Sequence, residues 1–456
     1  MTNQRKPEPR GWRPVSQRSM RGTFVALSLA VAMLLTGCAG GARASASSSG
    51  PAPVFPGSPA RLKGQTITVL VPSYAELTPA LLHEFTHDTG IHVSMQTATF
   101  TAIHERLAVA GASGTPTADV TEFDWSWTGQ FGAAGWFVPL QDGLPPTTVK
   151  DTSERADFIH NGQQFAACYN NTFRIGDMNT SQLAKVHITT PPTTLSQLLT
   201  DSQTVKRDGI VQYPLNLELS AQEGTVTLWI QLTHAMGGEI LDAADQPVFD
   251  KPGGPASVAL TFMVKAYTDK LVSPAAFSLS NVTSGLHFFT GSATFTLGGG
   301  PGDLKAATNP SVSHVMGQVA QFLLPGRTGP GATIALPEGL GIPSTSTHKQ
   351  AALAFIRWWT SPAVAAQIYT TFGLYPCNTA ALHTLAAKNE ILGASTLAAE
   401  LRHVVPTFPG GTPTWYSSFS TDAASLINSA AEGQITVGTA LSRLASDVNQ
   451  LRQGNG

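Results

Sequence analysis

Thr66-Ile67-Thr68-Val69-Leu70-Val71 is a short, β-branched and largely apolar run, the composition of a strand buried in a sheet. A loop, Pro72-Ser73-Tyr74-Ala75-Glu76, follows it. Thr78 then caps a helix with Pro79 at its first position, and Gly90 stops it. Leu81, Leu82 and Phe85 recur at helical spacing as the inward stripe. Ile91, Val93 and Met95 alternate with polar residues as a second strand, residues 103–110 read as a second helix, and Asp119-Val120-Thr121-Glu122-Phe123 reads as a third strand. Strand, helix, strand, helix, strand is the opening of a parallel sheet, so the class is α/β. In such sheets ligands sit beyond the carboxyl ends of the strands, which places Tyr74, Glu76, Asp124, Trp125 and Trp127 at a candidate site.

Upstream, Arg5, Lys6, Arg10, Arg13, Arg18 and Arg21 precede an uncharged apolar run, residues 22–35. That run is shorter than the ~18 to 20 residues of a spanning helix, and with its basic start it reads as a removable secretory signal. It closes in Leu35-Thr36-Gly37-Cys38, which resembles the bacterial lipobox; the resemblance implies that Cys38 receives a diacylglycerol and becomes the new N-terminus. Residues 1–37 are then a lipoprotein signal peptide. Residues 38–64, rich in Ala, Ser, Gly and Pro, are a flexible tether to the outer face of the cytoplasmic membrane.

The whole chain carries a formal charge of −2, of which the leader supplies +5, leaving the mature part at −7. A mildly acidic chain argues against nucleic acid or an anionic membrane surface as partner. Charged residues are only 12% while Gly and Pro number 43 and 31, which suits a loop-rich exported protein better than a coiled coil. Cys168 and Cys377 are the only thiols besides Cys38, and two thiols in an oxidising compartment suggest one bridge.

One catalytic pattern is present. His83-Glu84-Phe85-Thr86-His87 matches H-E-x-x-H, which on a helix aligns two histidines for zinc and a glutamate as base. With His92 it approaches a longer zinc pattern but misses by one residue, because Val93 stands at the third ligand's place. Both histidines fall on the solvent face of a helix whose Phe85 is core, so neither metal nor cofactor is expected.

From residue 165 onward the chain resembles the family 1 extracellular solute-binding proteins of ABC importers, the maltose-binding-protein-like group. The resemblance rests on residues 165–179 followed by Pro191-Pro192-Thr193-Thr194-Leu195, on Gly237-Gly238-Glu239-Ile240-Leu241, and on Phe289-Thr290-Gly291-Ser292-Ala293-Thr294-Phe295 with a glycine-rich loop after it. Residues 351–369 and Ile427-Asn428-Ser429-Ala430 complete it. The chain departs from the family pattern at Met178, Thr180 and Leu195, and it lacks an aromatic after the loop Gly299-Gly300-Pro301.

The resemblance implies a periplasmic-binding-protein type II-like fold: two α/β lobes joined by a multi-strand hinge, with a ligand cleft between them. Lobe one would hold residues 65–170 and 339–374, lobe two residues 171–338 and 375–456. The three crossings would fall near residues 168–172, 325–338 and 373–378, which would set Cys168 beside Cys377. The last helix, with Val437, Leu441, Leu444, Val448 and Leu451 in one stripe, would pack on lobe two. The implied function is capture of a mono- or oligosaccharide and its delivery to an ABC permease, by a monomer held to the membrane through its lipid. A sugar site needs aromatic platforms and polar partners for hydroxyls. Tyr74, Trp125, Trp127, Trp229, Trp415 and Tyr416 are the candidate platforms; Glu76, Asp124, Asn170, Asn171 and Glu223 are the candidate hydrogen-bonders, with Gly299 and Gly300 as the cleft loop. A glycerophosphodiester or polyol is the alternative ligand, and a surface-anchored hydrolase the alternative function.

Overall fold

Ile67, Val69, Leu70 and Val71 are buried in the first strand, β1 (Thr66–Pro72), as their composition demands. In the computed structural model, residues 62–146, 155–279 and 281–454 are described, so the signal peptide, Cys38 and all but the last residues of the tether lie outside the described residues. β1 pairs in parallel with β2 (His92–Ala98) and with β3 (Val120–Asp124). The crossovers are α1 (Pro79–Thr89) and α2 (Phe100–Ser113). Thr78 Oγ1 accepts from the Leu81 amide at 3.4 Å and Thr99 Oγ1 from the Ala102 amide at 3.3 Å, which supplies partners to first-turn donors that have none within the helix. α1 ends on Gly90 at φ 73°, backbone that a side chain would strain.

After β3 a single 3-10 turn, Trp125–Trp127, leads into α3 (Thr128–Ala134). β4 (Ala166–Asn170) closes the run before the chain passes to a second sheet. That sheet is built from β5 (Ile175–Asn179), β6 (Leu215–Asn216), β7 (Phe295–Gly299) and β8 (Val319–Phe322), in the order β8-β5-β7-β6. Between β6 and β7 run α4 (Glu223–Ala235) and α5 (Pro255–Thr268). The chain then returns to the first sheet as β9 (Glu338–Gly341), antiparallel to both β3 and β4, giving the order β2-β1-β3-β9-β4. α6 (Lys349–Trp359) and α7 (Pro362–Phe372) pack on it. α8 (Tyr416–Ala431) and α9 (Val437–Gly454) pack on each other and on α4 and α5, and Leu441, Leu444 and Val448 are the buried stripe of the last helix.

Glu338 pairs with Asp124 and Asn170 and so belongs to the first sheet, whereas the sequence reading left it at the end of the second lobe. The crossing segments lie side by side. The Asn171 amide donates to Tyr375 O at 2.7 Å, the Tyr375 amide to Asn170 Oδ1 at 2.9 Å, and the Leu336 amide to Thr172 O at 2.8 Å. Cys168 and Cys377 are joined there by a disulfide, their Cα atoms 5.8 Å apart.

Candidate functional site

Three carboxylates, Glu122, Asp124 and Glu338, converge where β3 and β4 end and β9 begins. Glu338 accepts from the Tyr74 hydroxyl at 2.5 Å and from Asn170 Nδ2 at 2.7 Å. The Tyr169 hydroxyl donates to Glu122 at 2.7 Å and lies 3.3 Å from Glu338. Asp124 accepts from the Ser126 amide at 2.8 Å and so starts the turn that carries Trp127. Burial raises the carboxyls of Glu122 and Asp124, and the Glu338 charge raises them further. Burial likewise raises Glu338, against the hydrogen bonds of Tyr74, Asn170 and Tyr169, which favour its ionised form. Glu122 Oε1 has no partner.

The lobes meet just above this cluster. Trp125 leaves the first sheet and joins the core of the second lobe, its ring 5.3 Å from Tyr416 and 6.3 Å from Phe408. Gly129 of α3 lies so close to residues 412–413 that a β-carbon there would stand 2.4 Å from Thr412 O and 2.5 Å from Pro413 O. Beside this seam is a pocket of about 290 Å³. The first lobe contributes Phe100, His104 and Trp127 to it; the second contributes Glu223, Tyr416 and Ser417. Glu223 opens α4 and accepts from Tyr416 at 2.6 Å, from Thr227 at 3.2 Å and from Ser420. His104 stacks on Phe131, its Nε2 is 3.0 Å from Gln130 Oε1 and 3.3 Å from Ser417 Oγ, and burial lowers its pKa.

The second lobe's floor is the glycine-rich end of β7. Arg174 donates to Gly298 O at 2.6 Å. Asp177 fills the space where a Gly299 side chain would stand, 2.0 Å from its β-carbon position, so only glycine fits there. The Gly300 amide donates to Asp303 and its carbonyl accepts from Gln321.

Of the residues singled out from the sequence, Tyr74, Asp124 and Asn170 meet at the strand ends, and Trp127, Glu223 and Tyr416 meet at the pocket. Trp125 fills the seam itself, and Asn171 serves the hinge through its backbone. Trp415, 7% exposed, packs on Phe419 behind Tyr416. Glu76 faces solvent on the loop after β1. Trp229 is a correction: expected as a platform, it sits in the middle of α4, is fully buried against Phe249, and donates its indole hydrogen to Ala256 O at 3.1 Å. A fully buried tryptophan packed against Phe249 and the start of α5 is core, so it offers no platform to a ligand. Sequence reasoning missed Glu338, Tyr169, Glu122 and His104; they lie in four different elements, β9, β4, β3 and α2, and carry no local motif. His83 and His87 are exposed on α1, with His87 Nδ1 3.0 Å from Asp88. Among the described residues no group of three His, Cys, Asp or Glu side chains is placed to hold a metal ion.

Residues 80–392, over two-thirds of the chain, match the family described as bacterial extracellular solute-binding protein. The chain belongs to this family. A probable amino-acid ABC transporter periplasmic-binding protein of Sinorhizobium fredii is 24% identical over 324 residues, covering 67% of this chain and 71% of that protein. Two solved structures share the fold. One is an ABC transporter solute-binding protein of Thermotoga lettingae bound with α-D-tagatose (TM-score 0.77, 21% identity, 85% of this chain and 99% of that one). The other is an Agrobacterium radiobacter solute-binding protein in complex with ribitol (TM-score 0.75, 18% identity, 86% and 99%). The type II binding-protein architecture of two α/β lobes therefore holds for this solute-binding protein, and at such identities the likeness is one of fold.

Proposed function

We propose that this solute-binding protein captures a carbohydrate-class ligand, a sugar or a polyol, in the seam between its lobes and presents it to the membrane subunits of an ABC importer. The pocket between α2 and α8 carries the proposal. It is lined by rings from both lobes, Phe100 and Trp127 from one and Tyr416 from the other, together with Glu223, His104, Ser417 and Ser420 as hydroxyl partners. Apolar C–H faces and hydroxyl edges are what such a lining complements. Its volume of about 290 Å³ lies at the small end of the ~300–1,000 Å³ usual for small-molecule sites. The ligands named for the fold relatives, tagatose and ribitol, are of this class.

A phosphate-bearing ligand finds little here, because the pocket is lined by Glu105 and Glu223 and by no lysine or arginine. The same lining disfavours a free amino acid, the ligand class in the name of the Sinorhizobium relative, since its carboxylate would face carboxylates. Membrane attachment through a lipid on Cys38 belongs to the same proposal and rests on the Leu35-Thr36-Gly37-Cys38 motif. A mature protein of this kind acts as a monomer, binding without turnover. Calorimetric titration of the mature chain with a panel of hexoses, disaccharides and alditols tests the reading. Saturable one-to-one binding of one panel member with no chemical change supports it; binding only to amino acids or phosphodiesters overturns it.

A further inference from the structure

The seam carries far more negative than positive charge. Glu105 and Glu223 line the pocket, and its one histidine, His104, is held neutral by burial. Asp124, 5% exposed, feels both Glu338 from its own sheet and Glu223 across the seam. Glu218, 8% exposed, leaves Oε2 without a partner and feels both the Arg174 and the Glu223 charge. Arg174 is the cation that Glu218, Asp303 and Glu338 feel. Among the residues lining the pocket no lysine or arginine stands beside Glu105 and Glu223, and a carboxylate without a countercharge in a poorly hydrated space is costly. Hydroxyl groups donate hydrogen bonds to carboxylates but bring no countercharge. Around the same pocket stand Phe100, Trp127 and Tyr416, and aromatic faces beside a carboxylate form the cage that attracts an ammonium.

The geometry points to a carbohydrate-class ligand that carries a protonated amine, an amino sugar or aminocyclitol, with the ammonium held between Glu223 and the rings of Trp127 and Tyr416. This inference rests on the carbohydrate reading above and names its substrate class. Glu223 already takes hydrogen bonds from Tyr416, Thr227 and Ser420, so its position is fixed before the ligand arrives. A free amino acid shares the ammonium but adds the carboxylate that this lining repels.

Calorimetry at neutral pH on the mature chain, with matched pairs, tests the inference. The probes are glucosamine against glucose and N-acetylglucosamine, trehalosamine against trehalose, and fully deacetylated chitobiose against cellobiose, with alanine and glutamine as the amino-acid arm. The amine of at least one pair should bind at least tenfold more tightly than its neutral partners. Glu223→Gln keeps an acceptor for Tyr416 and Ser420 and should remove most of that preference while changing the neutral sugar's affinity much less. Glu105→Gln, on the exposed rim, should lower the preference in the same direction by a smaller factor and guards against a misfolded first variant. Neutral sugars binding as tightly as their amines, or a preference unmoved by both variants, would overturn the inference and leave the carbohydrate reading standing. Amino acids binding more tightly than every sugar would overturn both, as would no binding in any arm.

Discussion

Trp125 and Tyr416 meet across the two lobes with their ring centroids 5.3 Å apart. Trp125 is 4% exposed and belongs to the core of the lobe opposite its own sheet, while the Tyr416 hydroxyl holds Glu223. Trp125 thus seats a side chain of one lobe in the packing of the other. Such a contact stabilises an arrangement with the lobes together, and a ligand bound between them has to supply only the remainder of any shift toward it.

Gly129 sets how near the lobes come. A β-carbon at this position would stand 2.4 Å from Thr412 O and 2.5 Å from Pro413 O, both backbone atoms that cannot swing aside. Gly129→Ala should therefore hold the seam apart and weaken ligand binding by about tenfold or more, while the higher helix propensity of alanine leaves α3 intact. Solution scattering should show a larger radius of gyration for the variant under saturating sugar. Unchanged affinity and unchanged radius would mean that the lobes need not touch at α3.

Trp229 and Tyr416 should separate fold from site. Trp229→Ala removes a fully buried ring and its hydrogen bond to Ala256, so unfolding should cost about 3–5 kcal/mol less than in the wild type. Trp229→Phe, which keeps an aromatic ring in the core, should retain wild-type affinity. Tyr416→Ala should lose at least tenfold in affinity, since it removes both a pocket wall and the donor that fixes Glu223. Chemical denaturation paired with calorimetry checks both halves.

Much of the first lobe is legible in the sequence because its signals are local. Thr78, Pro79 and Gly90 bound α1, and the β-branched run at residues 66–71 is a buried strand, in agreement with the structure. Asp124 and Trp127 follow from their place at the end of a strand. Glu338 does not, because its role comes from β9 returning to the first sheet between β3 and β4, a pairing between residues more than 160 positions apart for Asn170 and Glu338. Trp229 misleads for a related reason: an amphipathic pattern separates inside from outside, but on a helix buried all round every tryptophan looks alike. Tyr416 can be found from sequence, and its contact with Trp125 cannot, since that contact exists only once the lobes are folded against each other.

Glu400 should make stability depend on pH. It is fully buried, accepts from the Leu324 amide at 3.3 Å, and burial raises its pKa from 4.5 to about 8. The folded state then keeps a proton that the unfolded chain releases. The stability that this confers is fully present below about pH 4.5 and is lost as pH rises through about 8. Glu400→Gln should flatten this decline and raise stability on the alkaline side, by an amount on the order of 3 kcal/mol. Urea unfolding of both proteins from pH 5 to 9 reads the difference. Parallel curves would show that Glu400 is ionised in the fold.

The bridge between Cys168 and Cys377 spans 209 residues and ties β4 to the third crossing. By chain entropy such a loop is worth nominally about 4–5 kcal/mol, commonly less in practice. Reduction, or Cys168→Ser with Cys377→Ser, should lower the melting temperature by several degrees while leaving sugar affinity within about threefold, because the bridge lies at the hinge and outside the pocket. Thiol labelling of unfolded, unreduced mature protein should find neither cysteine free.

The most direct test of capture between the lobes is hydrogen–deuterium exchange with and without the tightest-binding sugar of the panel. Capture between the lobes should slow exchange in four segments at once: residues 100–105 and 126–131 of the first lobe, and residues 221–227 and 412–421 of the second. Protection confined to one lobe, or centred on a surface away from Trp127 and Tyr416, would contradict it.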